Sequence, residues 1–262
     1  MTKASDDQPT GLLIAFVLLE RPAEPDLPAV VAAIRARHPD VSAQVPLSAP
    51  QSNTTLIQCD GELVAVMSIP APIPRDDATV ARAEANWTGA AETIGGHQAH
   101  LIVSALSKDL SRLRAARIIT AVIGGMIAAV PGCVAVVWNG RVAYAAAPWL
   151  EMSRAAFAPY PDYPFMLWLS IHPFRYDAAI VAITFGLASF VGREIELEAK
   201  GLDGPSVFDK VAGLAVYMIE RGSVIPDGHT FGANEQERIQ IHHVRSQRFS
   251  GLPVVLASVT AG

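Results

Sequence analysis

Formal charge is scarce in this chain and cysteine scarcer, and both shortages narrow what the protein can be. Asp, Glu, Lys and Arg supply 17% of 262 residues, 20 basic against 25 acidic, for a net charge of -5. No basic arm or acidic tail breaks that balance, and a mildly acidic surface repels phosphate backbones, so nucleic acid is not an expected partner. The two cysteines, Cys59 and Cys133, stand far apart with no C-x-x-C spacing and read as reduced, buried thiols. Signature loops are missing too. The chain has no G-x-x-x-x-G-K-[ST], G-x-G-x-x-G, G-x-S-x-G or H-E-x-x-H, so it lacks the common nucleotide, hydrolase and metalloprotease motifs. What is abundant is apolar: 51% of residues are hydrophobic, enough to bury a large core and to exclude general disorder.

Long hydrophobic runs are also few. Gly11–Leu19 is nine residues long before Glu20 and has neither a basic flank nor a cleavage site. Ile118–Trp138 carries no formal charge and approaches the ~20 residues that cross a bilayer. Gly124-Gly125 and Pro131-Gly132 interrupt it, and Val134–Val137 is β-branched. The reading is a buried helix, a turn and a core strand, with no membrane partner and a cytoplasmic location.

The remaining pattern is α+β. Residues 1–10 read as a flexible N-terminus and 11–262 as one α+β body, divisible into packed halves at about 11–106 and 107–262. Gly11–Leu19 has strand length, and Asp26 caps a helix bearing Leu27, Val30, Val31 and Ile34 on one face before His38-Pro39 ends it. Thr54–Gln58 and Leu63–Ile69 flank Asp60-Gly61, a hairpin turn. Pro70, Pro72 and Pro74 stop the second of these strands, Asp76–Trp87 follows as a helix, and His100–Leu106 as a strand. This β-α-β-β-α-β order predicts a ferredoxin-like first half. Beyond it, Ser107 caps a helix reaching about Val130, and Val134–Trp138 and Arg141–Ala145 form a hairpin on Asn139-Gly140. Phe165–Ile171 and Ile180–Phe185 read as strands around a turn at His172–Asp177. Glu194–Ala199 alternates as a half-buried strand. Ser206 and Asp209 box the start of a helix that Arg221-Gly222 closes, and Arg238–Val244 and Pro253–Val259 end the chain as strands. The second half is a further α+β unit of mixed or antiparallel sheet and packed helices.

Four groups of residues could carry function. His97-x-x-His100 has the spacing of two metal ligands on a helix face, with Glu92 as a carboxylate. Against this, Gly95-Gly96 reads as a turn, after which both imidazoles would bond backbone groups, and no third ligand stands at a recognised spacing. Glu194, Glu196 and Glu198 project from one face of a strand about 7 Å apart. They suit acid/base chemistry, a solvated face or an acidic surface that docks a basic partner. Asp227-Gly-His-Thr230 reads first as a turn. His242 and His243 point to opposite faces of a strand and cannot form one site with Arg245 and Arg248. Trp138, Trp149, Trp168 and Tyr144 read as core or rim aromatics.

Several separated motifs share an order. Ala71-Pro-Ile-Pro74, His97-Gln-Ala-His100-Leu-Ile-Val103, Trp138-Asn-Gly140, Met166-Leu-Trp168, Thr184-Phe-Gly-Leu187, Phe190-Val-Gly-Arg-Glu194-Ile-Glu196 and Asp227-Gly-His-Thr-Phe-Gly232 resemble the bacterial domain of unknown function 4261 family, from about Gly11 to Val244. The resemblance implies no reaction, cofactor or catalytic residue. It implies cytosolic, non-enzymatic proteins, and by analogy alone neutralisers of secreted toxins. Pro74, Gly186, Gly192, Asp227, Gly228 and Gly232 are then structural motif positions, the glycines serving backbone conformations that a Cβ would block. Two functions follow as expectations. One is a protein-binding module of immunity type, without cofactor, using Glu194, Glu196 and Glu198 against a basic surface or toxin. The other is a metal-dependent hydrolase using His97 and His100.

Overall fold

A computed structural model describes residue 9 and residues 12–47, 54–107, 109–232 and 239–259. The chain divides into two compact units, the first Leu12–Trp168 and the second built on Leu169–Gly262. The segment after residue 107 therefore contributes a long helix and a hairpin to the first unit.

In the first unit the apolar run becomes β1 (Ala15–Leu19), and Asp26 caps α1 (Leu27–Arg37) by accepting from the Ala29 amide at 3.3 Å. After β2 (Ala43–Gln44), β3 (Thr54–Cys59) and β4 (Glu62–Ile69) meet at Asp60 and Gly61, whose φ values of 51° and 81° close a primed hairpin turn. Asp76 caps α2 (Asp77–Glu84). The chain then re-enters a helix, α3 (Ala90–Gly96), which takes in the Gly95-Gly96 pair that reads as a turn in the sequence. β5 (Ala99–Ala105) follows. Ser111, not Ser107, caps α4 (Arg112–Ala129), by accepting from the Arg114 amide. β6 (Cys133–Trp138) and β7 (Val142–Ala145) form the second expected hairpin, and α5 (Ala146–Met152) continues from it.

These strands make one antiparallel sheet in the order β2-β3-β4-β5-β1-β6-β7. The ferredoxin-like expectation is corrected in its pairing. A split βαβ unit inserts one strand between two parallel strands, whereas here β4 and β5 are direct antiparallel neighbours across α2 and α3. The turns fix each hairpin but do not say which edge of a hairpin the next strand joins. On one face of the sheet, Leu18, Ala135, Val137 and Ala143 pack under Val80 and Ala83 of α2 and Ala90 and Ile94 of α3. On the other lie α1 and α4. The uncharged stretch runs helically through Gly124-Gly125 and breaks only at Pro131-Gly132, because both glycines sit where α4 meets its neighbours. A Cβ on Gly125 would lie 2.4 Å from Ile34 Cγ1. Among the described residues no helix is long and apolar enough to cross a membrane. Trp138, Trp149 and Trp168 are fully buried, with ring centroids 6.1 and 6.3 Å apart and the Trp168 indole N–H donated to Thr120.

The second unit contains β8 (Ser170–Tyr176), β9 (Ala179–Phe185), α6 (Ala188–Val191), β10 (Glu194–Ala199), α7 (Gly204–Arg221), β11 (Thr230–Phe231), β12 (Ile239–Arg245) and β13 (Pro253–Val259). Its sheet runs β11-β12-β13-β10-β9-β8 and is antiparallel except at β10–β13. Residues 165–167 are a 3-10 turn, and the stretch expected as the turn at His172–Asp177 is mostly strand. The reversal comes at Asp177, φ 49°, where a short polar side chain tolerates the left-handed region. Asp203, not the Ser206/Asp209 pair, caps α7 by accepting from the Ser206 amide at 2.9 Å, and Gly222 ends that helix in the left-handed region.

Candidate functional site

The glutamate strand of the second unit is not a solvated face. Glu194 and Glu196 are 3% and 2% exposed, while Ile195, Leu197 and Ala199 on the opposite face of β10 are fully buried. Period two is present, but both faces are covered, and the half-buried expectation fails for that reason. The three carboxylates have separate fates. Glu194 accepts from the Thr184 hydroxyl at 2.7 Å, the Gly186 amide at 2.8 Å and the Leu187 amide at 3.0 Å, and so organises the turn from β9 into α6. Burial pushes its carboxyl upward, and the donors from Thr184, Gly186, Ala188 and Leu187 oppose that shift. It has no surface to offer a partner.

Glu196 and Glu198 face Arg248 on the loop joining β12 to β13. That loop is wound on Ser246, whose Oγ accepts from the amides of Arg248 and Phe249 at 3.1 and 3.0 Å. It turns the guanidinium back onto β10, donating to Glu196 Oε1 at 2.5 Å and to Glu198 Oε2 at 2.6 Å. The same guanidinium lies 4.5 Å over the Tyr176 ring. Burial works against its charge, and the hydrogen bonds to Glu196 and Glu198 more than offset it. Phe249 completes the wall, edge-on to Phe174 at 5.8 Å and to Phe185 at 6.2 Å. Glu196, Glu198, Arg248, Phe174, Tyr176 and Phe249 line a cavity of about 790 Å³. The second oxygen of Glu196, Oε2, is buried and has no hydrogen-bond partner among the described residues. A buried anionic acceptor without a donor costs free energy, on the order of 1–3 kcal/mol or more.

Arg248, Tyr176, Phe174 and Phe249 were not readable as parts of this site. Arg248 follows β10 by some fifty residues of sequence. The only available signal was the i, i+2 pair Phe174 and Tyr176, which places two rings on one face once the stretch is strand.

The other candidates are occupied by backbone. His97 Nε2 accepts from the Ile73 amide at 2.8 Å, and its Nδ1–H is donated to the Ile94 carbonyl. With both nitrogens engaged, His97 has no lone pair for a metal. Among the described residues no group of three His, Cys, Asp or Glu could hold one. His100 donates Nδ1–H to the Ala71 carbonyl at 2.7 Å. The two histidines thus anchor the segment containing Pro74 across the sheet, whereas the sequence suggested that they fix the start of a strand. Asp227 accepts from the His243 amide at 2.8 Å, and this bond leads in holding its carboxyl below the usual range. Gly228, φ 78°, pairs with the Ile241 carbonyl, which makes Asp227-Gly228 a structural turn. Gly192, φ 85°, ends α6, Gly186, φ 110°, donates to Glu194, and Gly232 follows β11.

The second unit is thus an α+β module in which a loop arginine closes over a carboxylate strand. Residues 183–256, which contain Glu194, Glu196, Glu198, Asp227 and Arg248, match the family described as domain of unknown function (DUF4261). No curated protein and no solved structure matches the chain.

Proposed function

We propose that the chain is a non-catalytic protein-binding module, and that the cavity at Glu196, Glu198 and Arg248 receives a basic side chain of its partner. One observation carries this reading: Glu196, a residue of the wall of a cavity with an aromatic rim, has a buried carboxylate oxygen, Oε2, with no donor among the described residues. A lysine or arginine donates to such an oxygen and stacks on rings such as Tyr176, Phe174 and Phe249. The acidic strand acts here through the wall of a cavity, not as an open acidic surface. In its immunity-type form the partner is a toxin with a basic contact residue.

The test is purification of the tagged chain from its own cells, with mass-spectrometric stoichiometry of what accompanies it. A single stoichiometric protein is expected with wild type and with the exposed control Glu92→Gln. At least a tenfold loss is expected with Glu196→Gln, at unchanged circular dichroism. A wild-type chain that purifies without a stoichiometric partner overturns the proposal, and so does a partner retained by Glu196→Gln.

A further inference from the structure

The first unit contains a cavity of its own, of about 410 Å³, between the sheet, α2, α3 and the proline segment. This size falls within the range of sites for small organic molecules. Phe16, Ile73, Val80, Ile94 and Val137 supply an apolar lining. The wall is held in place, since Ile73 and Ala71 of the proline segment bond His97 and His100 respectively. Formal charge at the cavity is already satisfied. Arg75 is paired to Asp77 at 2.5 Å, and Asp76 is bound to the Ala78 amide and the Thr79 hydroxyl as the cap of α2.

His100 supplies a polar group to this wall. His100 lines the cavity, and its Nδ1–H is committed to Ala71. That bond fixes the tautomer, so Nε2 carries a lone pair and acts as an acceptor. Burial, reinforced by the neighbouring His97, holds the imidazole below its ordinary pKa despite the opposing Ala71 bond, which keeps it neutral. The ring is fixed further by its edge contact with Phe16 at 5.8 Å.

We propose that this cavity binds a small, neutral, apolar molecule bearing one hydroxyl or N–H, which it donates to His100 Nε2. The charged residues of the lining, Arg75 and Asp76, each already have a partner, which disfavours a charged ligand. The site is independent of the cavity in the second unit, and neither proposal depends on the other.

The test uses 4-ethylphenol and 4-ethylanisole, which differ in that a methyl group replaces the phenol hydrogen, each titrated into the full chain by amide NMR. The phenol is expected to shift the amides of Ile73, Gly95 and His100, and the ether to bind at least tenfold more weakly, because a site built around one hydrogen bond rejects the analogue that lacks it. In His100→Phe, which keeps a ring against Phe16, the two probes should bind equally. The proposal is overturned if neither probe shifts these amides, if wild type binds both equally, or if the preference survives in His100→Phe. The wild-type comparison decides the matter even if the variant does not fold.

Discussion

Gly125→Ala should lower the stability of the first unit by about 1–2 kcal/mol, although in an exposed helix the same change is favourable. An added Cβ at Gly125 would meet Ile34 Cγ1 at 2.4 Å, the Val30 carbonyl oxygen at 3.1 Å and the Ile34 nitrogen at 3.3 Å. Carbon atoms in good contact stand at about 3.5–4.0 Å, so the overlap with Ile34 exceeds an ångström. Ile34 and Val30 are fully buried, and two of the three obstacles are backbone, which a rotamer change cannot relieve. Overpacking of this kind costs about 1–3 kcal/mol, partly offset by the ~1 kcal/mol that alanine gains over glycine in a helix. Gly213, exposed in α7 with nothing within 4 Å of where a Cβ would stand, supplies the opposite case. There Ala should stabilise the second unit by about 0.5–1 kcal/mol. Urea unfolding read by tryptophan fluorescence isolates the first unit, because Trp87, Trp138, Trp149 and Trp168 all lie in it; circular dichroism follows Gly213→Ala. In a double-mutant cycle, Ile34→Ala should absorb at least about 1 kcal/mol of the Gly125→Ala penalty. A neutral or stabilising Gly125→Ala, or strict additivity with Ile34→Ala, would refute the close approach of α1 and α4.

Glu194→Gln should destabilise the second unit by at least about 2 kcal/mol, because an amide NH2 must then face a donor from Gly186, Leu187 or Thr184; equal urea midpoints would contradict the network. Arg248→Met should cost about 3–5 kcal/mol by leaving the buried Glu196 charge unpaired, whereas the Arg248→Met, Glu196→Gln double variant should recover most of it by thermal melting. The first unit should lose stability as pH falls from about 6.5, since burial depresses the folded-state pKa of both His38 and His100. Their contribution is present above the unfolded value and lost as pH falls through the folded one, so a lower tryptophan-monitored midpoint at pH 5.5 than at 7.5 is expected. Burial pushes the Cys59 and Cys133 thiols up to about 12, so iodoacetamide at pH 8 should label neither in the native protein and both after denaturation, as counted by mass spectrometry.

Local chemistry was legible in the sequence wherever a few adjacent residues decide the backbone. Asp26 as a cap, Asp60-Gly61 and Asn139-Gly140 as hairpin turns, and Gly222 as a helix end each need only their own dihedral preferences and neighbours. Choices between similar signals close together were not legible: Ser107 or Ser111 as a cap, and Ser206 or Asp203, differ by which residue the packed helix puts at its end. The sheet order was hidden for another reason. β1, β4, β5 and β6 are all rich in buried apolar residues, so hydrophobic pattern alone does not rank their possible neighbours.

The two motifs that looked chemical illustrate how availability differs from residue type. His97 and His100 have ligand spacing, yet the structure uses three of their four nitrogens on the backbone of a proline-rich segment, whose own prolines cannot donate to a sheet. Glu194, Glu196 and Glu198 have the spacing of one acidic surface, yet a turn takes the first and a loop arginine binds the other two. Among the described residues, His100 Nε2 in the first unit and Glu196 Oε2 and Glu198 Oε1 in the second remain outside these networks. A side chain that lines a cavity with one of its atoms already fixed by the protein is oriented before any ligand arrives, which lowers the entropic cost of recognition. The same structural bonds that remove most of each motif from chemistry therefore orient the side chains that line the two cavities.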